Sequence, residues 1–122
     1  MGPDTQAALA FSRRVRALIA DSLAGGRVGV EAVASRLSMS RHTLYKKLKE
    51  EDLTFFDLLN EVRRERALHY LRERERSLAE VAELLGFSEL SAFSRAFKRW
   101  MGKPPAQFRS QVLPGAELAA GH

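Results

Sequence analysis

The chain of 122 residues lacks cysteine and lacks any long uncharged apolar run, and each absence excludes a class of protein. Without cysteine there is no disulfide scaffold, no thiolate metal site and no cysteine nucleophile. No apolar run approaches the roughly 20 residues that span a bilayer, and the start Met1–Asp4 shows no signal-peptide pattern. We therefore expect a cytoplasmic protein without membrane contact, stabilised by a packed core.

The distribution of charge is more informative than its total. The net charge of +5 and the pI of about 10.1 permit a polyanionic partner but do not establish one. Between Ser40 and Lys49 there are four basic residues and no acidic one, whereas Arg63–Arg76 interleaves arginine with glutamate. The first segment can form a positive face, and the second is typical of a solvated helix with internal ion pairs.

Helical periodicity runs through the chain, and no segment alternates as a strand does. Capping residues, glycines and prolines divide it into about seven helices. The predicted helices cover, approximately, residues 6–23, 30–37, 40–51, 54–75, 77–85, 89–101 and 104–108. The predicted fold class is all-α, with two helix-turn-helix subdomains joined by one long linker helix.

An internal sequence repeat supports the prediction of two helix-turn-helix subdomains. Val33-Ala34 and the segment Leu37–Ser40 recur as Val81-Ala82 and Leu85–Ser88, displaced by 48 positions, and the match beyond the turn is displaced by 49. Each copy predicts a short helix, a tight turn and a second helix, with a small alanine where the two helices approach most closely. Gly86 suits a left-handed turn residue. Ser38 takes its place in the first copy and would cost about 1 kcal/mol in that conformation.

The repeat predicts the domain organisation. We expect an N-terminal helix and first helix-turn-helix over 1–52, a linker helix over 53–76, a second helix-turn-helix over 77–112 and a flexible tail over 113–122. A helix from Thr54 to Glu75 would be about 33 Å long. Successive major-groove faces of B-DNA recur every 34 to 36 Å or so, which predicts an asymmetric site of about 20 base pairs bound by a monomer.

The second helix of a helix-turn-helix presents its N-terminal part to the major groove. In each copy the inward apolar residues define the opposite, outward face. The residues predicted to contact bases are Arg41, His42, Tyr45, Lys46, Glu89, Leu90, Ser91, Ser94 and Arg95. Those predicted to contact phosphates are Ser40, Thr43, Lys47, Lys49, Lys98, Arg99 and Lys103. The second face carries fewer charges, so we expect it to read sequence less stringently.

Simpler readings exist for individual residues. A lone histidine such as His42 is usually a surface residue, and without a second ligand nearby we expect no metal and no cofactor. Tyr45 can equally pack sideways, and a single exposed lysine is usually only solvated. The repeat, rather than any one cation, supports nucleic-acid binding.

The sequence resembles the AraC/XylS family of bacterial transcriptional regulators. The resemblance covers roughly residues 15 to 109 and is carried by Ser77–Ser88, Ala92–Gly102, Pro105–Arg109, Ser40–Leu48 and the pattern from Arg63 to Leu71. It implies a seven-helix domain that binds promoter DNA through helices beginning near Ser40 and Glu89, with RNA polymerase as a further partner. The sequence departs from the family pattern at Ser38, where glycine is commoner, and at Leu90, where a polar residue is frequent.

The resemblance also bears on the whole protein. Family members usually carry this domain after an effector or dimerisation domain, so we expect a fragment of a longer regulator that can dimerise through its missing N-terminal part, although single-domain members exist. The alternative function is a protein–protein interaction module, such as an anti-activator, without DNA binding. A DNA-repair enzyme fused to this module would need an acceptor cysteine, so we expect no enzyme.

Overall fold

The computed structural model describes residues 3–23 and 29–113, and within them the chain forms seven helices and no strand. The helices are α1 (Pro3–Ser22), α2 (Val30–Arg36), α3 (Arg41–Lys49), α4 (Phe55–Tyr70), α5 (Leu78–Leu84), α6 (Leu90–Met101) and α7 (Pro105–Val112). This confirms the predicted all-α fold class with two helix-turn-helix motifs, α2–α3 and α5–α6. The glycines after the first predicted helix, Gly25 and Gly26, and residues 114–122 of the predicted tail lie outside the described residues.

The chain divides into two compact units within α4. The N-terminal unit contains the described residues up to Arg63, and the C-terminal unit begins at Arg64. The domain boundaries expected from sequence, at 52/53, 76/77 and 112/113, stay a prediction. None of the described helices combines the length and apolar character needed to cross a bilayer.

In the N-terminal unit a core of apolar side chains, all aliphatic except one phenylalanine, joins four helices. It is made by Val15, Ile19, Leu23, Val33, Ala34, Leu44, Leu48, Phe55, Leu58 and Val62, all buried. Two ion pairs lie at its edge: Arg36 contacts Asp21 of α1 at 2.8 Å, and Arg16 of α1 contacts Glu61 of α4. Since α1 packs on α2, the helix outside the motif supports the first helix-turn-helix.

In the C-terminal unit the core contains a cluster of aromatic rings. Phe97 of α6 is fully buried and lies 5.8 Å from Phe93, 6.4 Å from Trp100 and 5.6 Å from Phe108 of α7, measured between ring centroids. Phe87, in the turn before α6, contacts Phe93 and Trp100 in the same way. Tilted and edge-on ring pairs of this kind add to the stabilisation that burial alone provides.

Both helix-turn-helix motifs make the same turn. In the first, the Met39 amide donates to the Ala34 carbonyl and the Ser38 amide to the Ser35 carbonyl, each at 3.0 Å. In the second, the amides of Phe87 and Gly86 donate to Ala82 and Glu83 at the same distances. These are Schellman motifs, which require a left-handed residue after the helix. Ser38 has φ of +56° and Gly86 has φ of +84°, so the repeat predicted from sequence is a structural repeat.

The predicted end of the linker helix is wrong. We expected it to continue to Glu75, but α4 has 16 residues and ends at Tyr70, a length of about 24 Å. The longest described helix is α1, with 20 residues. The amides of Arg72 and Glu73 make turn bonds three residues back instead of helical ones.

A side chain from α7 explains where α4 ends. Nε of Arg109 donates to the Leu71 carbonyl at 3.1 Å and Nη2 to the Glu73 carbonyl at 3.3 Å. The Leu71 carbonyl lies just after the last residue of α4, where helical acceptors are left unsatisfied, and the Glu73 carbonyl lies in the turn that follows. Burial lowers the pKa of Arg109, but an arginine keeps its charge near neutral pH. Arg76 closes the same turn by pairing with Glu73 and lying over the Tyr70 ring.

Side-chain hydrogen bonds cap the starts of α4 and α5. Ser77 and Glu80 form a complete capping box at α5, with both bonds at 3.1 Å, and the Thr54 hydroxyl accepts from the Asp57 amide at α4. The hydrogen bonds from the Ser77 backbone and side chain lower the pKa of Glu80. A carboxylate of lowered pKa stabilises the fold at neutral pH, and that contribution is lost as the pH falls through the folded-state pKa.

The strained turn residue of the first motif predicts a stabilising substitution. We expect Ser38→Gly to raise the free energy of unfolding by about 0.5 kcal/mol, because relief of the left-handed strain exceeds the added entropy of the unfolded chain. The reciprocal Gly86→Ser should lower it by about 1 kcal/mol. Urea unfolding of both variants tests this, and a loss of stability in Ser38→Gly would show that the serine side chain contributes more than the strain costs.

The aromatic core predicts a large loss of stability at its centre. We expect Phe97→Ala to lower the free energy of unfolding by about 3 to 5 kcal/mol, since a fully buried ring is replaced by a cavity. Thermal unfolding followed by circular dichroism measures the loss. Phe56→Ala is the control, because the Phe56 side chain is 63% exposed. Near wild-type stability of Phe97→Ala would contradict the assignment of the buried face of α6.

Candidate nucleic-acid interface

The recognition helix of the first motif, α3, separates an apolar face from a polar one. Leu44 and Leu48 are fully buried, and the other seven residues of the helix are exposed. The exposed residues include all four predicted to contact bases from this helix, Arg41, His42, Tyr45 and Lys46. Tyr45 is 46% exposed, so it does not pack away into the core. The buried and exposed faces of α3 are therefore the ones predicted from the positions of its apolar residues.

The second recognition helix, α6, divides in the same way. Phe93, Ala96 and Phe97 are buried beneath it. Of the residues predicted to contact bases, Glu89, Leu90, Ser91 and Arg95 are exposed, and Ser94 is half-buried. Leu90 is 41% exposed at the first position of the helix. The described chain thus presents one large hydrophobic side chain on each recognition face, Tyr45 and Leu90.

Both recognition helices carry basic residues without acidic ones. Between them, α3 and α6 carry seven lysines and arginines and no acidic residue. The preceding helices are different: α2 bears Glu31, and α5 bears Glu80 and Glu83. Since 15 acidic residues are spread over the chain, their exclusion from both second helices gives each unit a locally positive surface.

The predicted phosphate contacts divide into two groups. Lys49, Lys98 and Arg99 are exposed in the last turns of their helices, where cations also complement the helix dipole. The others already have partners. Lys47 Nζ lies 5.1 Å from the centre of the Phe11 ring of α1, and half-buried Lys103 donates to Gln111.

Ser40 and Thr43 form the start of α3. The Ser40 hydroxyl accepts from the Thr43 amide at 3.1 Å and contacts the Thr43 hydroxyl at 3.0 Å, so Ser40 is the N-cap of α3. The second motif lacks this cap: Glu89 precedes α6 without a capping bond, and its carboxylate accepts from the Ser91 hydroxyl. The N-caps are 49 positions apart although the turns are 48 apart, which places the extra residue of the second copy before α6.

Two tertiary contacts of α3 were not predicted. Glu31 of α2 pairs with Arg41 across the first turn, at 3.3 Å between Oε1 and Nη1, and both border a shallow concavity of about 590 Å³ between the two helices. Phe11 of α1 lies beneath Lys47. Neither pair has a helical spacing, so only the tertiary structure reveals them. No cluster of three or more metal-ligating side chains occurs among the described residues.

These duplicated motifs match a known sequence family. The family model described as a helix-turn-helix domain matches residues 33–111, from within α2 to the last turn of α7. The chain belongs to the AraC/XylS family. Family membership is thus established over the segment that contains every candidate contact residue named above.

Curated relatives are transcriptional regulators. The chain is 39% identical over 100 residues to the HTH-type transcriptional regulator VirS of Mycobacterium tuberculosis, covering 82% of this chain and 29% of that protein. It is 35% identical over 104 residues to the Msm operon regulatory protein of Streptococcus mutans, covering 84% of this chain and 37% of that one. The chain therefore spans about a third of the length of these relatives.

Solved structures share the architecture. A DNA-binding transcriptional dual regulator from Escherichia coli K-12 superposes with a TM-score of 0.78 at 30% identity, covering 84% of this chain and 91% of that one. The DNA-binding domain of AdpA, solved in complex with a target DNA, gives 0.71 at 28% identity, covering 82% and 90%. The chain is therefore a DNA-binding regulator domain of this family.

The unequal caps of the two motifs predict unequal effects of serine substitution. We expect Ser40→Ala to lower the free energy of unfolding by about 1 kcal/mol, because the Thr43 amide loses its acceptor. Ser88→Ala, at the matching turn position, removes no capping bond and should change stability by less than about 0.5 kcal/mol. Chemical denaturation of both variants measures the difference, and equal losses would contradict the assignment of the cap.

Proposed function

We propose that this domain binds a specific double-stranded promoter sequence and regulates transcription from it. Two recognition helices, α3 and α6, read adjacent major-groove segments of an asymmetric site of about 20 base pairs. The observation that carries the proposal is the duplicated motif whose second helix, in both copies, buries its apolar face and exposes a basic face without acids.

The side chains of α3 supply the more selective contacts. Arg41 and Lys46 can donate to O6 and N7 of guanine, and His42 can donate to or accept from base edges. Tyr45 offers a ring to a thymine methyl group or a sugar. Ser40, Thr43 and the lysines of this helix contact phosphates and set the register of the helix in the groove.

The side chains of α6 supply fewer polar contacts. Arg95 is the candidate for a guanine, Leu90 packs on a thymine methyl group, and Glu89 can accept from cytosine N4. Ser91 and Ser94 add short hydrogen bonds, while Lys98, Arg99 and Lys103 contact phosphates. The second half-site is consequently read less stringently than the first.

The length of the site rests on the number of motifs and not on the linker. Two consecutive turns of B-DNA contain about 20 base pairs, one turn for each recognition helix. The length expected for the linker helix, close to one helical repeat, no longer supports this spacing because α4 ends at Tyr70.

The role of the whole protein extends beyond these contacts. The relatives are between two and three times as long as this chain, so an effector or dimerisation domain and a contact with RNA polymerase are part of the proposal for the full-length regulator. The isolated domain binds as a monomer, because each of the two half-sites has its own recognition helix. No catalytic step and no cofactor is part of the proposal.

An interaction module without DNA binding is the alternative, and the exposed Phe56, outside both recognition helices, favours it. Salt dependence separates the two functions. Binding to duplex DNA releases condensed counterions from the phosphates that the protein neutralises. The logarithm of the affinity therefore falls with the logarithm of the salt concentration, with a slope of about −0.9 per phosphate. An apolar protein interface shows little such dependence.

The recognition faces predict selective losses of affinity. We expect Lys46→Ala and Arg95→Ala each to weaken binding to the selected site by about 1 to 3 kcal/mol, with a smaller effect on random duplex. Arg14→Ala removes an exposed cation of α1 and is the matched control. Fluorescence anisotropy at fixed salt measures both affinities. Equal losses on both duplexes would reassign Lys46 and Arg95 to phosphates.

The tandem arrangement predicts a footprint. Selection of bound sites from random duplexes, followed by hydroxyl-radical footprinting, should show two protected patches about one helical turn apart on one face of the DNA. The patch contacted by α3 should show the stronger base preference. A single patch, or a palindromic selected site, would contradict the proposal that the two motifs bind adjacent segments of one asymmetric site.

A further inference from the structure

An acidic side chain reaches the first recognition helix from the helix before it. Glu31 lies in the first turn of α2, and its carboxylate contacts Arg41, the first residue of α3, with 3.3 Å between Oε1 and Nη1. We propose that Glu31 is a positioning residue, which holds the Arg41 guanidinium in the orientation from which it reads a base. The inference rests on the DNA-binding function proposed above and names a specificity determinant outside the recognition helices.

The geometry of the pair leaves Arg41 able to read DNA. A guanidinium has five N–H donors, and the contact with Glu31 uses one nitrogen, Nη1. The remaining donors suffice for the two acceptors O6 and N7 of guanine. An arginine that is already oriented loses less rotamer freedom when it makes this contact. The Glu31 carboxylate therefore increases the binding free energy gained from a base contact that requires one particular orientation of Arg41.

The same carboxylate has the opposite effect on phosphate contacts. A phosphate accepts from an arginine in many orientations, so orienting the guanidinium gains little there. Non-specific affinity depends on how much phosphate charge the protein neutralises, and Glu31 offsets the charge of Arg41. Glu31 thus favours the specific complex over the non-specific one.

The second motif provides an internal comparison. Forty-eight positions after Glu31 stands Ala79, and the residue matching Arg41 beyond the turn is Leu90. The acidic positioning contact therefore belongs to the first motif alone, the one with the richer base-reading face. The side chains of Arg41 and Glu31 are 62% and 77% exposed, so the expected effect is that of a surface ion pair, about two- to five-fold.

The test compares two affinities in one set of variants. Fluorescence anisotropy at one salt concentration gives the ratio of affinity for the selected site to affinity for random duplex. We expect Glu31→Ala to lower this ratio about two- to five-fold, and Glu31→Gln to lower it less because the amide oxygen still accepts from Arg41. Glu83→Ala removes an exposed carboxylate from α5, the counterpart of α2, and should leave the ratio unchanged.

A second background shows whether Glu31 acts through Arg41. In Arg41→Ala protein, Glu31→Ala should have no effect on the ratio. The positioning role would be overturned if Glu31→Ala lowered the ratio as much in Arg41→Ala protein as in wild-type protein. It would also be overturned if, with Arg41 present, Glu31→Ala changed the affinities for the selected site and for random duplex equally. Both outcomes leave DNA binding intact. Failure of the wild-type domain to bind any duplex would overturn the proposed function, and the positioning role with it.

Discussion

The left-handed turn after the first helix of each motif is the constraint on which the recognition surface depends. The turn fixes the crossing of two short helices, so that Val33 and Ala34, or Val81 and Ala82, pack against the second helix. With the crossing fixed, the second helix has one side available for burial and one for solvent. Helices of 7 and 9 residues are too short to be stable alone, so this packing is what maintains α2 and α3.

The two motifs share the turn but differ in how the second helix begins and what it carries. Ser40 caps α3 through its side chain, whereas Glu89 precedes α6 without a capping bond and α6 is stabilised by a cluster of aromatic rings. Serine in place of glycine at position 38 shows that the first turn tolerates strain. A shared turn geometry with unequal surfaces fits the asymmetric DNA site proposed above.

Most of the fold could be predicted from the sequence, because its signals are local. The spacing of Leu44 and Leu48, the cap at Ser40 and the box formed by Ser77 and Glu80 each act within one or two helical turns. The end of α4 could not be predicted. Its arginine–glutamate pattern is compatible with a continuing helix, and the guanidinium that satisfies the terminal carbonyls comes from Arg109, 38 positions later.

The exposed faces of the recognition helices could also be predicted from the sequence, because their signals are local. Exposure of Arg41, Tyr45, Lys46 and Arg95 followed from the positions of the buried residues, since a helix that buries one face must expose the other. Partners across the tertiary structure were not predictable. Phe11 beneath Lys47 lies 36 positions away from it, so no periodic pattern relates the two.

The placement of acidic residues explains how a modest net charge can suit a polyanionic partner. At physiological salt the Debye length is about 8 Å, so a phosphate responds mainly to charges within that distance. Acids follow immediately where α3 ends, at Glu50, Glu51 and Asp52, yet none lies on α3 itself. Glu31, which reaches toward Arg41 from α2, is an acidic residue in direct contact with this face. An acid in contact with α3, a helix that itself carries none, weakens the attraction of this helix to phosphate, and the orientation of Arg41 that we propose is the compensating gain.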